Sequence, residues 1–236
     1  DCIHSVQSQT HPQVEHLILD GQSTDNTVEA IMAAGFKGTL WVEKDKGMYD
    51  AMNKGIARAK GDIIGILNAD DVYTHPQVLE KVQALFDHSG ADALYGDLRY
   101  VDAIDPLKTK RIWKAGPMHP KAFLHGWMPP HPCFFVRREV YEKFGAFAEG
   151  FDSAADYELM LRFLHRYGIK VAYLQEFLVN MRMGGVSNRS FKNRILANKA
   201  DRRAWKANGL TPHWYTLYAK PLRKLTQFMT LFASKP

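Results

Sequence analysis

The sequence predicts an α/β protein with a mostly parallel central sheet flanked by helices and a helical, basic C-terminal tail. Three observations predict this. Through the first half, short apolar runs ending in acids alternate with segments of helical spacing. The composition, 46% apolar and 24% charged over 236 residues, supports one sizeable core and excludes disorder, collagen-like repeats and a disulfide scaffold. The charge is unevenly spread: residues 182–236 hold 12 Lys/Arg against one acid, Asp201, while the preceding residues net −5. Such a tail points to a polyanion or an anionic membrane surface.

The elements follow in order. Asp1 to Gln9 reads as the end of an amphipathic helix, and Glu15 to Asp20 as a buried strand. Asp25 to Ala34 has helical spacing, with Asp25 as N-cap and Gly35 as the stop. Thr39 to Glu43 is strand-like, Met48 to Ala59 a helix ended by Gly61, and Asp62 to Asn68 a strand. Pro76 to His88 is a helix with its proline near the first turn. In the second half, Ala93–Val101 and Thr109–Lys114 pair as a hairpin, and a Pro/His-rich loop leads into the strand Cys133–Val136. Ala154–Tyr167 is a helix, Ile169–Leu174 and Phe177–Met183 two strands, and Phe191–Asn208 a basic helix stopped by Gly209. No run has the length of a transmembrane helix and no signal peptide is visible. Cys2 and Cys133 lack metal-ligand spacing and fit a reducing compartment.

Ligands of parallel sheets sit beyond the carboxyl ends of the strands, so the acids there carry the functional argument. Asp20-Gly-Gln-Ser23-Thr-Asp25 is either a polar turn or a grip on a nucleobase or ribose, whose hydroxyls and N–H groups a carboxylate accepts. In Asp45-Lys-Gly-Met-Tyr-Asp-Ala-Met-Asn53-Lys54-Gly55, a helix entry with Lys, Asn and backbone N–H groups suits a phosphate or base. An exposed face with ordinary ion pairs is the alternative. Asn68-Ala-Asp70-Asp71 places two adjacent carboxylates after an apolar strand, where their repulsion favours a divalent cation sharing substrate phosphates over a solvated turn. Asp156 lies in the first turn of its helix, with Asp152 or Ser153 free to cap, so it is a candidate general base or a charge–dipole stabiliser. His131 between two prolines is a ligand or phosphate contact, or a packed loop residue. The loop Met183–Asn188 reads as a lid or a plain turn.

In this order the segments resemble family 2 glycosyltransferases with the GT-A fold, in the branch that builds bacterial O-antigen, capsule or exopolysaccharide. The second half adds Met128-Pro-Pro-His-Pro132, Gly145-Ala-Phe147, Ala155-Asp-Tyr-Glu-Leu-Met-Leu-Arg162 and Met181-Arg-Met-Gly-Gly-Val-Ser-Asn188. The resemblance implies a catalytic domain over residues 1–209, with a nucleotide-sugar half (1–102) and an acceptor half (103–209), followed by an amphipathic tail at 210–236. It implies that Asp20, Ser23, Asp45, Asn53, Lys54, Asp70 and His131 hold the nucleotide sugar. Mn²⁺ or Mg²⁺ would sit on Asp71, since Asn68 stands where the family's first acid would be. Asp156 would be the base of a single in-line displacement with inversion at the anomeric carbon. Family members also begin with an apolar strand ahead of the helix at Asp1–Gln9, so this chain is expected to lack its first strand.

The implied partners are a nucleoside-diphosphate sugar, UDP-linked by preference, and a saccharide acceptor, free or on a lipid pyrophosphate. A cytoplasmic enzyme at the inner membrane face follows. From Trp214 on, Tyr218, Leu222, Leu225, Met229 and Phe232 recur at helical spacing, with Pro221 placed to kink the helix. That stripe either lies in the membrane interface or packs on the body or a second subunit. A nucleic-acid partner is not expected, because zinc spacing, RNP-like aromatics and helix-turn-helix signals are missing from the sequence. A nucleotidyltransferase on a similar sheet would instead release pyrophosphate.

Overall fold

The structure, a computed structural model, describes residues 1–151, 154–184 and 191–233, the last two helices partly by backbone alone. In chain order it runs α1 (Cys2–Gln7), β1 (Leu17–Asp20), α2 (Thr27–Ala33), β2 (Thr39–Val42), α3 (Met48–Arg58), β3 (Ile63–Gly65), β4 (Val72–Tyr73) and α4 (Val78–Ser89). Then come β5 (Ala93–Val101), β6 (Thr109–Trp113), β7 (Phe134–Arg137), α5 (Arg138–Phe144), α6 (Ala155–Met160), β8 (Val171–Arg182), α7 (Phe191–Ala207) and α8 (Thr216–Ala233).

The strands form two ladders. β1 and β2 pair in parallel, with Asp20 opposite Val42. The other six form one sheet in the order β3-β7-β5-β8-β4, with β6 on β5. This sheet is mixed, which corrects the expectation of a mostly parallel one: β5–β8 is its parallel pair, and β3–β7, β4–β8, β5–β6 and β5–β7 are antiparallel. The cause is the second half of the chain, where the β5–β6 hairpin and the returning β7 add strands without helical crossovers.

β5 is the spine. Its alternate residues serve two cores: Ala93 and Tyr95 face one that includes Phe123, Trp127, Tyr157 and Trp205, while Leu94 and Leu98 face Val82, Phe86 and Leu178. Burial on both faces explains its nearly unbroken burial pattern. The two strands expected at 169–183 are one, β8; its register slips twice beside Gly96 and Asp97, which breaks the apparent periodicity. The expected helix 154–167 is α-helical to Met160 and π-helical over Leu161–Arg166. Asn26 directly precedes α2 but makes no side-chain cap bond; the capping is done by Asp25 one residue earlier, whose carboxylate accepts from the Thr27 amide and hydroxyl. The suggested caps Asp152 and Ser153, and most of the loop at 183–188, lie outside the described residues.

The tail docks on the body. Leu217 is buried, the Thr216 hydroxyl donates to the Leu124 carbonyl at 2.6 Å, and Lys220 pairs with Asp201 at 2.8 Å. Trp214 (85% exposed), Tyr218 (59%) and Leu222 (63%) point to solvent. The apolar stripe therefore starts on the outer face of α8; the side chains of Leu225, Met229 and Phe232 lie outside the described ones. Pro221 sits inside α8 without ending it. Docking depends on Gly126, which has φ +72° and whose absent Cβ would clash with the Lys220 amide nitrogen. Gly126→Ala combines left-handed strain with a backbone clash and should cost about 3 kcal/mol. A lowered urea midpoint together with early proteolysis in 210–233 is the expected reading, and an unchanged midpoint would contradict this role for Gly126.

Candidate active site

The site begins where the two parallel strands end. Asp20, at the end of β1, is buried; its carboxylate accepts from the Ser23 amide at 3.0 Å and the Ser23 hydroxyl at 2.5 Å. Gln22 is held at φ +63°, so the turn is tight. Gly21 passes so close to the Asp45 carboxylate that a Cβ would collide with it. Asp45 itself accepts from the Gly47 amide at 2.9 Å, opening α3. Asp20, Ser23 and Asp45 are thus one corner. Lys54 is tied into the β2–α3 connection, donating to the Lys44 carbonyl at 2.6 Å and pairing with Asp50 at 3.1 Å. Asn53 clamps Phe147, donating to its carbonyl and accepting from its amide at 2.9 Å each.

The two adjacent acids part company. Asp70 is exposed, whereas Asp71 is fully buried. Asn68 donates to one Asp71 oxygen at 2.9 Å, and the other oxygen is buried with no partner. Burial pushes the Asp71 carboxyl up to about 7; the Asn68 hydrogen bond opposes this and Asp70 adds to it. Cys2, which sequence reasoning set aside, donates weakly to the Asn68 carbonyl at 3.5 Å. Its thiol is pushed up to about 11 by burial, with Asp71 contributing next. Among the described residues no group of three or more His, Cys, Asp or Glu is placed to hold a metal. The unpaired Asp71 oxygen beside exposed Asp70 nevertheless fits Mg²⁺ or Mn²⁺, which need only one or two carboxylates when substrate phosphates complete the shell.

Asp156 comes from the other half of the chain. It is half-buried in the first turn of α6, accepting from the Tyr157 amide at 2.7 Å. Tyr49 of α3 faces it: burial raises the Tyr49 hydroxyl, and the charge of Asp156 and direct hydrogen bonding to it also act there. His131 is lowered by burial against the opposing pull of Asp156, which leaves a neutral imidazole beside the carboxylate. Phe147 sits between them, 5.1 Å from the Tyr49 ring and edge-on to His131 at 5.5 Å.

The loop carrying Phe147 is fixed from below. Arg162 donates to the carbonyls of Phe144, Gly145 and Ala146 and pairs with buried Glu158, which also accepts from Asn208. With Asn53 above, four consecutive residues are bound. Tyr49, Phe147 and Arg162 lie in motifs noted in the sequence but were given no role there. The signal for Tyr49 was its place one turn before Asn53 on the same helix face. Finally, burial raises the Tyr100 hydroxyl, Arg111 opposes this, and the charges of Asp71 and Asp156 add smaller upward contributions.

A β1–β2 corner with carboxylates, an acid pair after β3 and a lone acid opposite α3 define a GT-A glycosyltransferase fold. The model of Glycosyl transferase family 2 matches residues 1–145, and the chain belongs to that family. An uncharacterized glycosyltransferase of Mycobacterium tuberculosis is 32% identical over 164 residues, 68% of this chain and 61% of the relative. The chain thus spans about three fifths of that relative's length. A PGL/p-HBAD biosynthesis glycosyltransferase of Mycobacterium bovis is 26% identical over 193 residues, 79% of this chain and 73% of the other. In fold, S. aureus TarS 1-349 in complex with UDP superposes with a TM-score of 0.64 at 16% identity, covering 99% of this chain and 67% of that one. The mannosyltransferase PcManGT from Pyrobaculum calidifontis, in complex with GDP-Man and Mn²⁺, gives 0.59 at 17% identity, covering 99% and 70%.

Proposed function

We propose that this chain is an inverting glycosyltransferase that moves a sugar from a nucleoside-diphosphate sugar, UDP-linked by preference, to a saccharide hydroxyl in surface polysaccharide synthesis. The observation that carries this reading is the buried Asp71 carboxylate, one oxygen of which has no partner, beside exposed Asp70 within the segment that the Glycosyl transferase family 2 model matches. Asp20, Ser23 and Asp45 hold the nucleoside at the strand ends, and Asp70 faces the diphosphate. Asn53, Lys54 and His131 build the walls: Asn53 sets Phe147, Lys54 stiffens the entry to α3, and His131 stays neutral so that it does not quench Asp156. Asp156 takes the proton of the attacking acceptor hydroxyl, with the Tyr49 hydroxyl fixing the carboxylate. Asp71, with Asp70 beside it, would hold Mn²⁺ or Mg²⁺, which when bound offsets charge growing on the departing diphosphate.

The acceptor we favour is a saccharide on a lipid pyrophosphate, met at the cytoplasmic face of the membrane. Among the described residues no helix is long and apolar enough to cross a membrane. The exposed Trp214, Tyr218 and Leu222 on a basic tail suit interfacial contact instead. The test is a thermal-shift panel of UDP-, GDP- and dTDP-sugars with and without Mn²⁺. A UDP-sugar with Mn²⁺ at about a hundredfold over its Kd should raise Tm by roughly 5 °C. A flat response across the panel would sink the proposal.

A further inference from the structure

Residues 182–236 carry a single acid, Asp201, and it is buried on α7. Lys220 of α8 bonds both of its carboxylate oxygens at 2.8 Å. Ala204, Trp205 and Asn208 follow Asp201 at helical spacing, and all three are buried too. A helix pair that only needed to cover the core would place apolar side chains here, since a buried ion pair adds little net stability over apolar residues of its size.

The pair closes on Tyr157, which is 1% exposed. The Lys220 ammonium lies 3.6 Å from the centroid of the Tyr157 ring, and the Trp205 indole donates to the Tyr157 hydroxyl at 2.9 Å. Both the ring and its hydroxyl are therefore held. Lys220 is itself seated by backbone contact, packed against Gly126 where a Cβ would clash. Tyr157 is the third residue of α6, a helix whose N-cap, Ala154, makes no side-chain cap bond. Amides in a first turn have no acceptor within their own helix. The Tyr157 amide instead donates to the Asp156 carboxylate at 2.7 Å. α7 and α8 thus grip the side chain of the residue whose backbone holds the proposed base.

We infer that Lys220 is a positioning residue for glycosyl transfer: fixed by Asp201, its ammonium pins the Tyr157 ring, and so sets the amide that aims the Asp156 carboxylate at the acceptor hydroxyl. The inference rests on the reading of Asp156 as the base and adds the residues that orient it. A misplacement of about 1 Å in such a group costs up to about a hundredfold in rate, so this support is worth building. It also makes productive geometry conditional on the docking of α8.

Removing the ammonium alone would strand Asp201 as an unpaired buried charge and endanger the fold. The test variant is therefore Lys220→Met combined with Asp201→Asn, which removes both charges with little change in side-chain volume. Its single-turnover transfer should fall at least about tenfold, with UDP affinity and binding stoichiometry in Mn²⁺ unchanged. Lys220→Arg can bridge Asp201 and stack on Tyr157, and should stay within about threefold of wild type. On an Asp156→Asn background the charge-free pair should have no further effect on the residual rate, because no base remains to be aimed. Independently of activity, hydrogen exchange at the Tyr157 amide should quicken about tenfold in the charge-free variant, with α4 amides unaffected. Wild-type transfer by that variant, an Arg variant as slow as it, an equal loss on the Asp156→Asn background, or unchanged Tyr157 exchange each overturns the inference. Quickened Tyr157 exchange in a protein whose wild type transfers no sugar would instead remove the glycosyl-transfer reading and leave the grip on Asp156 standing.

Discussion

Asp156→Asn is expected to cut glycosyl transfer by about 10³-fold while leaving nucleotide affinity within about twofold. The amide keeps the size and the hydrogen bond to the Tyr157 amide, so α6 still starts correctly. What disappears is the capacity to accept a proton from the attacking hydroxyl. The Tyr49 hydroxyl, raised by burial and by Asp156, is a hydrogen-bond donor at working pH and does not replace the base. Paired measurements settle the matter: single-turnover transfer for the chemistry and nucleotide titration for the donor side. Near-normal turnover in Asp156→Asn would falsify the assignment.

Asp71→Asn should separate stability from function. Burial holds the Asp71 carboxyl near 7, well above its unfolded value, so the folded state binds the extra proton between about pH 4 and 7. A carboxylic acid raised on folding stabilises the protein below its unfolded pKa, relative to higher pH, and that advantage is lost as pH climbs through the folded pKa. At pH 8 without divalent cation, the buried charge costs up to about 4 kcal/mol. The neutral amide avoids this cost, so Asp71→Asn should melt several degrees above wild type at pH 8 and match it at pH 4. Its response to Mn²⁺ with nucleotide should be lost. A variant that melts below wild type at pH 8 would show that Asp71 is satisfied as an anion.

Much of this was legible in the residues. Asp20, Asp45, Asp70, Asp71 and Asp156 stand out because carboxylates at strand or helix ends are local patterns, and β1, β2, α3, β5 and β6 follow from periodicity. The sheet's mixed direction was not legible, because β7 pairs with residues far away in the chain and nothing local in Cys133–Val136 encodes its partner. The clamp of Asn53 on Phe147 escaped for the same reason: its two ends are 94 positions apart. Asn53 and Lys54 look alike in sequence, as polar residues on an exposed turn. Only packing shows that Asn53 grips a distant backbone while Lys54 bonds within its own connection, to the Lys44 carbonyl and Asp50. The β8 slip and the π-helical turn hid because each shifts a period that is otherwise regular.

The separateness of the two ladders has a thermodynamic consequence. The β1–β2 pair meets the six-stranded sheet through helices: Ser5 and Gln7 of α1 reach Tyr73 and Gly35, Leu19 touches Gly55 of α3, and Ile56 joins Ile64 in the core. Strand pairing is the most cooperative link a sheet has, and it does not cross this seam among the described residues. The ladder bearing Asp20 can thus open at a free energy below that of global unfolding. A ligand gripping Asp20 on one side and Asp70 on the other would stitch the seam, and part of its intrinsic affinity would be spent on that ordering. Donor affinity and the local stability of one corner of the protein are then a single quantity.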